Sequence, residues 1–155
     1  MTRAASDCEI CDRIAMFAPD NPSLIAELET GYAVLADNQY YDGYTIFLAK
    51  RCVPELHELP PDERARFLGE MALVAEAVFR AFAPRKLNYE LLGNSVAHLH
   101  WHLIPRYDDD PHPTWPVWSN EAFRQAPRRT PIAPQLLRER RERARRTLAE
   151  VRAAS

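Results

Sequence analysis

The chain reads as α+β: an antiparallel sheet, one long crossing helix and a second helix at the C-terminus. Three observations predict this. Short runs rich in β-branched and aromatic residues alternate with turn-forming residues. One long segment, Asp62 to Phe82, carries an apolar stripe at helical spacing. Few long crossovers separate the strand-like runs, which favours antiparallel pairing.

Taken in order, Cys8 to Pro22 reads as a knuckle, a short helix and a turn at Asp20-Asn-Pro. Leu24 to Glu29 is a candidate first strand. Gly31 to Ala36 and Tyr44 to Ala49 are better ones, joined by a loop, Asp37 to Gly43. Pro60-Pro61 suits the first turn of the long helix. Phe67, Met71, Val74, Val78 and Phe82 form its stripe, and Pro84 ends it. Lys86 to Leu92 is the next strand, followed by Gly93-Asn94-Ser95 and a histidine-bearing strand. Between Tyr107 and Pro134, six prolines (Pro111, Pro113, Pro116, Pro127, Pro131 and Pro134) predict a flap or wrapped extension without long regular structure. Trp115 and Trp118 in that stretch are expected to cover the core or form the flap. Gln135 to Ala153 reads as an arginine-rich helix whose charges form a solvated face. Its excess positive charge would also attract phosphate-rich ligands.

The bulk numbers exclude several classes. A chain of 155 residues with 46% hydrophobic content buries one core, and one domain is expected. Net charge −2 and pI about 6.2 argue against a stable nucleic-acid binder. No apolar run is long enough for a membrane span, and the opening Met1-Thr-Arg-Ala-Ala-Ser-Asp-Cys8 lacks a signal-peptide core. Three cysteines, two at C-x-x-C spacing, fit a reducing compartment. The expected location is the cytoplasm.

Chemistry concentrates in His98-Leu99-His100-Trp101-His102-Leu103-Ile104-Pro105, which holds three of the five histidines. Two-residue spacing is the strand period, so the imidazoles should share a face while Leu99, Trp101 and Leu103 fill the other. Three histidines spread over roughly 13 Å of strand suit one metal poorly. Differing roles along a substrate suit them better. Cys8-Glu-Ile-Cys11 has half-site spacing for zinc. Cys52 is a third soft ligand, and His98 or His57 would supply a fourth; redox chemistry at the C-x-x-C is the rival reading. The segment Asn88 to Val96 offers amides and a hydroxyl that hold phosphate oxygens, or else a polar turn.

These residues resemble the histidine-triad (HIT) family. His98-x-His100-x-His102-Leu103-Ile104 is similar to its H-φ-H-φ-H-φ-φ signature. Gly93-Asn94-Ser95-Val96 resembles its Gly-Gln-Ser/Thr-Val, and Lys50-Arg-Cys-Val-Pro-Glu-Leu56 its Lys-x-His-x-x-x-Leu. Cys8-x-x-Cys11 is similar to the knuckle of zinc-containing bacterial members. The resemblance runs from about Cys8 to Tyr107.

It implies a HIT-like fold, a core over 1–107 and an extension with the C-terminal helix over 108–155 in the same domain. It implies a homodimer that cleaves nucleotides, expected to be purine nucleotides, at the α-phosphate of dinucleoside polyphosphates, phosphoramidates or related conjugates. His100 is then the nucleophile, forming a nucleotidyl-histidine, with its other ring nitrogen held as N–H by the preceding backbone carbonyl. His102 contacts the phosphate and leaving group, and His98 completes the catalytic set. Asn94 and Ser95 bind phosphate oxygens; Asp37, Asn38 and Asn88 contact ribose. Asn94 replaces the common Gln. Cys52 stands where relatives carry a metal-binding histidine, which predicts one structural zinc per chain on Cys8, Cys11, Cys52 and His98. A zinc-stabilised nucleotide-binding or adaptor protein with little catalysis is the alternative, and a hydrolase using metal-bound histidines is a third.

Overall fold

The computed structural model describes residues 8–129 and 132–155. The opening stretch before Cys8, and with it the start of the core expected over 1–107, lies outside the described residues, as does Pro131. In order the elements are α1 (Glu9–Ala15), β1 (Leu24–Glu27), β2 (Gly31–Leu35), β3 (Thr45–Ala49), α2 (Pro61–Phe82), β4 (Lys86–Glu90), β5 (His100–Arg106), α3 (Glu121–Arg129) and α4 (Pro134–Ala154). The strands form one sheet in the order β1-β2-β3-β5-β4, each neighbour antiparallel. The α+β expectation and both long helices are therefore observed.

Alternation explains the two faces of the sheet. Ala33, Leu35, Phe47, Ala49, Leu87 and Leu103 point to the side covered by α2 and α4, where they pack with Phe67, Val74, Val78 and Leu148. Trp101 joins that side. The other face carries Val34, Leu48 and Ile46, covered by Ile10, Ile14 and Phe17 of the N-terminal knuckle. It also carries His100 and His102, which pair in register with Leu48 and Ile46.

Helix α2 returns the chain from β3 to β4. It ends where Ala83 takes a left-handed conformation and its N–H caps the Phe79 carbonyl, just before Pro84. Gly43 has φ +81°, and a Cβ there would strike the Phe82 ring, so the turn before β3 requires glycine.

Three expectations are corrected. The histidine strand begins at His100, so His98 precedes it. The backbone of Leu99 bonds Ala49 and Val53, and the His98 ring turns to Ala49 and the thiols. The proline-rich stretch also holds regular structure, helix α3. Its start is capped by Asn120, whose Oδ1 accepts the Phe123 N–H at 3.2 Å. The arginines of α4 are not all solvated. Arg140 is buried and bonds Asp42, and Arg141 donates to the Asn21 carbonyl at 2.7 Å.

Candidate active site and metal centre

Strand β5 places His100 and His102 on one face, and the two rings meet edge to face. Their Nε2 atoms are 3.1 Å apart. His100 is 8% exposed, and its Nδ1 lies 2.5 Å from the His98 carbonyl oxygen. A carbonyl only accepts, so Nδ1 carries a proton, and in the neutral ring Nε2 is the bare nitrogen.

Tyr44, buried at the end of the Asp37–Gly43 loop, sets its hydroxyl 2.6 Å from His102 Nδ1. Burial, and then the neighbouring His100, push the His102 pKa down to about 4. Burial, and then the Glu90 charge, push the Tyr44 phenol well above its ordinary value. Trp118 packs its ring edge-on against His102 with centroids 5.4 Å apart, and its Nε1 donates to Glu90, the register partner of His102.

A buried guanidinium organises the extension around this site. Arg106 donates to Asp110 at 2.5 Å, Asn88 at 2.8 Å, and the carbonyls of Trp115 at 3.0 Å and His112 at 2.7 Å. Burial alone would raise the Asp110 carboxyl. The bonds from Arg106 and from the His112 N–H hold it below its ordinary value.

The other expected site residues are spread around the rim. Asn94 and Ser95 are exposed in the loop before His98. Asn88 lies on β4 with its Oδ1 engaged by Arg106. Asn38 donates to the Phe123 carbonyl at 2.7 Å. Asp37 is exposed and receives two bonds from Arg13, at 3.1 and 2.9 Å. Tyr44, Glu90 and Arg106 escaped the sequence reading. For Tyr44 a signal existed: strand alternation sets it on the same side as Ile46 and Leu48, but only the β3–β5 register brings that side to His102. Trp115 and Trp118 are 56% and 37% exposed, so both belong to the flap and neither to the core.

A second cluster lies beside the first. Ligand atoms of Cys8, Cys11, Cys52 and His98 all fall within 4.8 Å of one another. His98 Nδ1 is 3.3 Å from Cys8 Sγ and 3.6 Å from Cys11 Sγ. Sulfur and nitrogen ligands of one tetrahedral zinc stand about 3.6 Å apart, so the donor set fits. The His98 Nε2–H donates to the Ala49 carbonyl at 2.7 Å, which turns the Nδ1 lone pair to the thiols, the outer-shell arrangement of a metal-binding imidazole. Burial, and the thiols of Cys52 and Cys8, push Cys11 up to about 12. Burial also opposes ionisation of Cys8, but hydrogen bonds from Cys11 and Ile10 bring it below its ordinary value. A cation here would balance the negative charge that crowded thiols otherwise resist. His57 is exposed in a short turn, Leu56–Glu58, and takes no part.

Comparison with known proteins identifies the family and the fold. The family model described as HIT domain matches residues 20–109. Protein hit of Bacillus subtilis is 30% identical over 108 residues, 66% of this chain and 73% of that protein. Adenylylsulfatase HINT3 of Arabidopsis thaliana is 27% identical over 127 residues, 77% of this chain and 60% of that protein. A histidine triad (HIT) protein of Sinorhizobium meliloti has 26% identity and a TM-score of 0.70, covering 86% of this chain and 98% of its own. A Zn-bound histidine triad family protein of Mycobacterium smegmatis shares the fold at 20% identity, with a TM-score of 0.68 over 97% of this chain and 99% of its own. With the triad, the fold and the matched span in agreement, the chain belongs to the histidine-triad (HIT) family.

Proposed function

We propose that this protein is a nucleotide hydrolase or nucleotidyltransferase that cleaves at the α-phosphate through a nucleotidyl-His100 intermediate. The observation that carries this reading is the His100 imidazole, pinned through Nδ1 by the His98 carbonyl with its Nε2 lone pair directed at His102. The first step forms an Nε2–P bond and breaks the bond from phosphorus to the leaving group, which departs with the electron pair. The ring then bears the positive charge. In the second step water attacks phosphorus, the P–N bond breaks, its electrons return to Nε2, and a water proton passes to solvent. An alcohol or amine in place of water gives transfer.

His102 faces the phosphoryl group beside His100 and stabilises developing charge. The exposed Asn94 and Ser95 bind phosphate oxygens. Asn88, whose Oδ1 is taken by Arg106, offers its Nδ2 to ribose with Asp37 and Asn38. His98 contributes to catalysis through its carbonyl and holds metal through its ring. In this reading Cys8, Cys11, Cys52 and His98 hold one structural zinc per chain. Four protein ligands leave no position for substrate, so the ion would fix the knuckle under β5.

The similarity to an enzyme named adenylylsulfatase supports an adenylyl conjugate as substrate. The edge strand β4, with Tyr89 exposed on it and Leu92 exposed just after it, supports a homodimer, which sedimentation would measure. No helix among the described residues is long and apolar enough to cross a membrane. The three cysteines, gathered in one candidate metal cluster, support a reducing, cytoplasmic location.

A panel of adenylyl sulfate, diadenosine polyphosphate, aminoacyl adenylate and adenosine phosphoramidate tests the activity. Turnover of at least one, lost in His100→Ala, is the expected result. Full turnover by His100→Ala overturns the assignment.

A further inference from the structure

The hydrogen bonds around His102 fix where its proton sits. On one side, His100 Nδ1–H is committed to a carbonyl, so in the neutral ring that acts as nucleophile His100 Nε2 accepts. The atom facing it at 3.1 Å, His102 Nε2, must then donate. On the other side the Tyr44 hydroxyl, 2.6 Å from His102 Nδ1, must donate, because a neutral imidazole protonated at Nε2 has a bare Nδ1. Three consecutive bonds thus run in one direction, from Tyr44 O–H through His102 and His100 to the His98 carbonyl.

We propose that Tyr44 is a positioning residue that locks His102 as a neutral Nε2–H donor and so tunes the protein to leaving groups that depart without a proton. This rests on the nucleotidyl-His100 reading. To give its Nε2 proton away, His102 would need to take the Tyr44 proton at Nδ1 and leave a phenolate. That phenolate would sit in a pocket of Phe123, Trp118 and His102 with the Glu90 carboxylate as its charged neighbour, which opposes it. His102 therefore steadies charge on the phosphoryl and departing oxygens and keeps its proton. Phosphate, sulfate and carboxylate leave as stable anions and need no more than this. An amine cannot leave as its anion, so phosphoramidates lack the proton transfer that general acid catalysis would supply, worth about a hundredfold or more. The favoured substrate class is accordingly the mixed anhydride of a nucleoside monophosphate.

The test has two arms, both on the purified full chain. Long-range 15N–1H NMR of the wild type at pH 7 reads the His102 tautomer. Neutral Nε2–H is expected, with loss of that preference in Tyr44→Phe, which keeps the ring and removes the hydroxyl. The kinetic arm compares kcat/KM for adenylyl sulfate and adenosine phosphoramidate. The wild type should favour the anhydride by about a hundredfold, and Tyr44→Phe should narrow that ratio by about tenfold, the equivalent of one hydrogen bond. A wild-type His102 that is protonated at Nδ1 or cationic at pH 7 overturns the proposal. So does a wild-type preference for the phosphoramidate, or a ratio unmoved by Tyr44→Phe. Absence of any turnover would defeat the nucleotidyl-His100 reading, and the NMR arm would then decide the role of Tyr44 alone.

Discussion

Replacing Arg106 by Met removes the guanidinium that ties the extension to the sheet. Its side chain is 6% exposed and that of Asp110 is 0% exposed. The substitution leaves Asp110 with the His112 N–H at 2.9 Å and the Tyr41 hydroxyl, and no counter-charge. It also frees the Asn88 amide oxygen and the carbonyls of His112 and Trp115. Breaking one side of a buried ion pair costs about 3–5 kcal/mol, a large part of the ordinary 5–15 kcal/mol of a domain. Urea unfolding followed by circular dichroism, in zinc-saturated buffer, measures the loss. Arg106→Met combined with Asp110→Leu leaves no orphaned charge, so the double variant should be more stable than additivity allows, by at least about 1 kcal/mol. A single variant within about 1 kcal/mol of wild type, or strict additivity, would refute the claim that this pair anchors the flap.

Other expectations concern the metal and pH. Cys52→Ala should lower bound zinc from about one per chain, measured by plasma emission spectroscopy. Losing about 3 kcal/mol of metal-linked stability lowers the melting temperature by about 6–12 °C in a chain of this size; a variant with unchanged metal content and melting would count against the site. His102 has its pKa near 4, below the ordinary 6.5, so the unfolded chain takes up the proton first. Its contribution is intact above pH 6.5 and is lost as pH falls toward 4, by at most about 3 kcal/mol. The stability gap between wild type and His102→Asn should shift by that amount across this window, and a pH-independent gap would contradict the burial argument.

Much of this was legible in the residues. The four-three-four-four spacing from Phe67 to Phe82 placed α2, and the alternation of Leu99, Trp101 and Leu103 with the histidines placed β5 and its two faces. Spacing and ligand chemistry point to the three thiols but leave His98 or His57 open as the fourth ligand, and the resemblance to the HIT family selects His98. What stayed hidden depends on contacts distant in sequence. Tyr44 meets His102 only through strand register. Arg106 reads as one more charged residue until the carbonyls of His112 and Trp115 close over it. Helix α3 was masked by Pro127, although Asn120 before Glu121 is a capping signal that local reading had available. His98 left the strand pattern because its ring is claimed by Ala49 and the thiols, a tertiary demand that overrides period two.

The central claim is tested most directly by quenching the reaction with an adenylyl anhydride in acid-free denaturant and mapping the trapped adduct by mass spectrometry. The account predicts an adenylyl group on His100, formed and lost at rates compatible with turnover. An adduct on any other residue, or turnover with none at any time point, would contradict it.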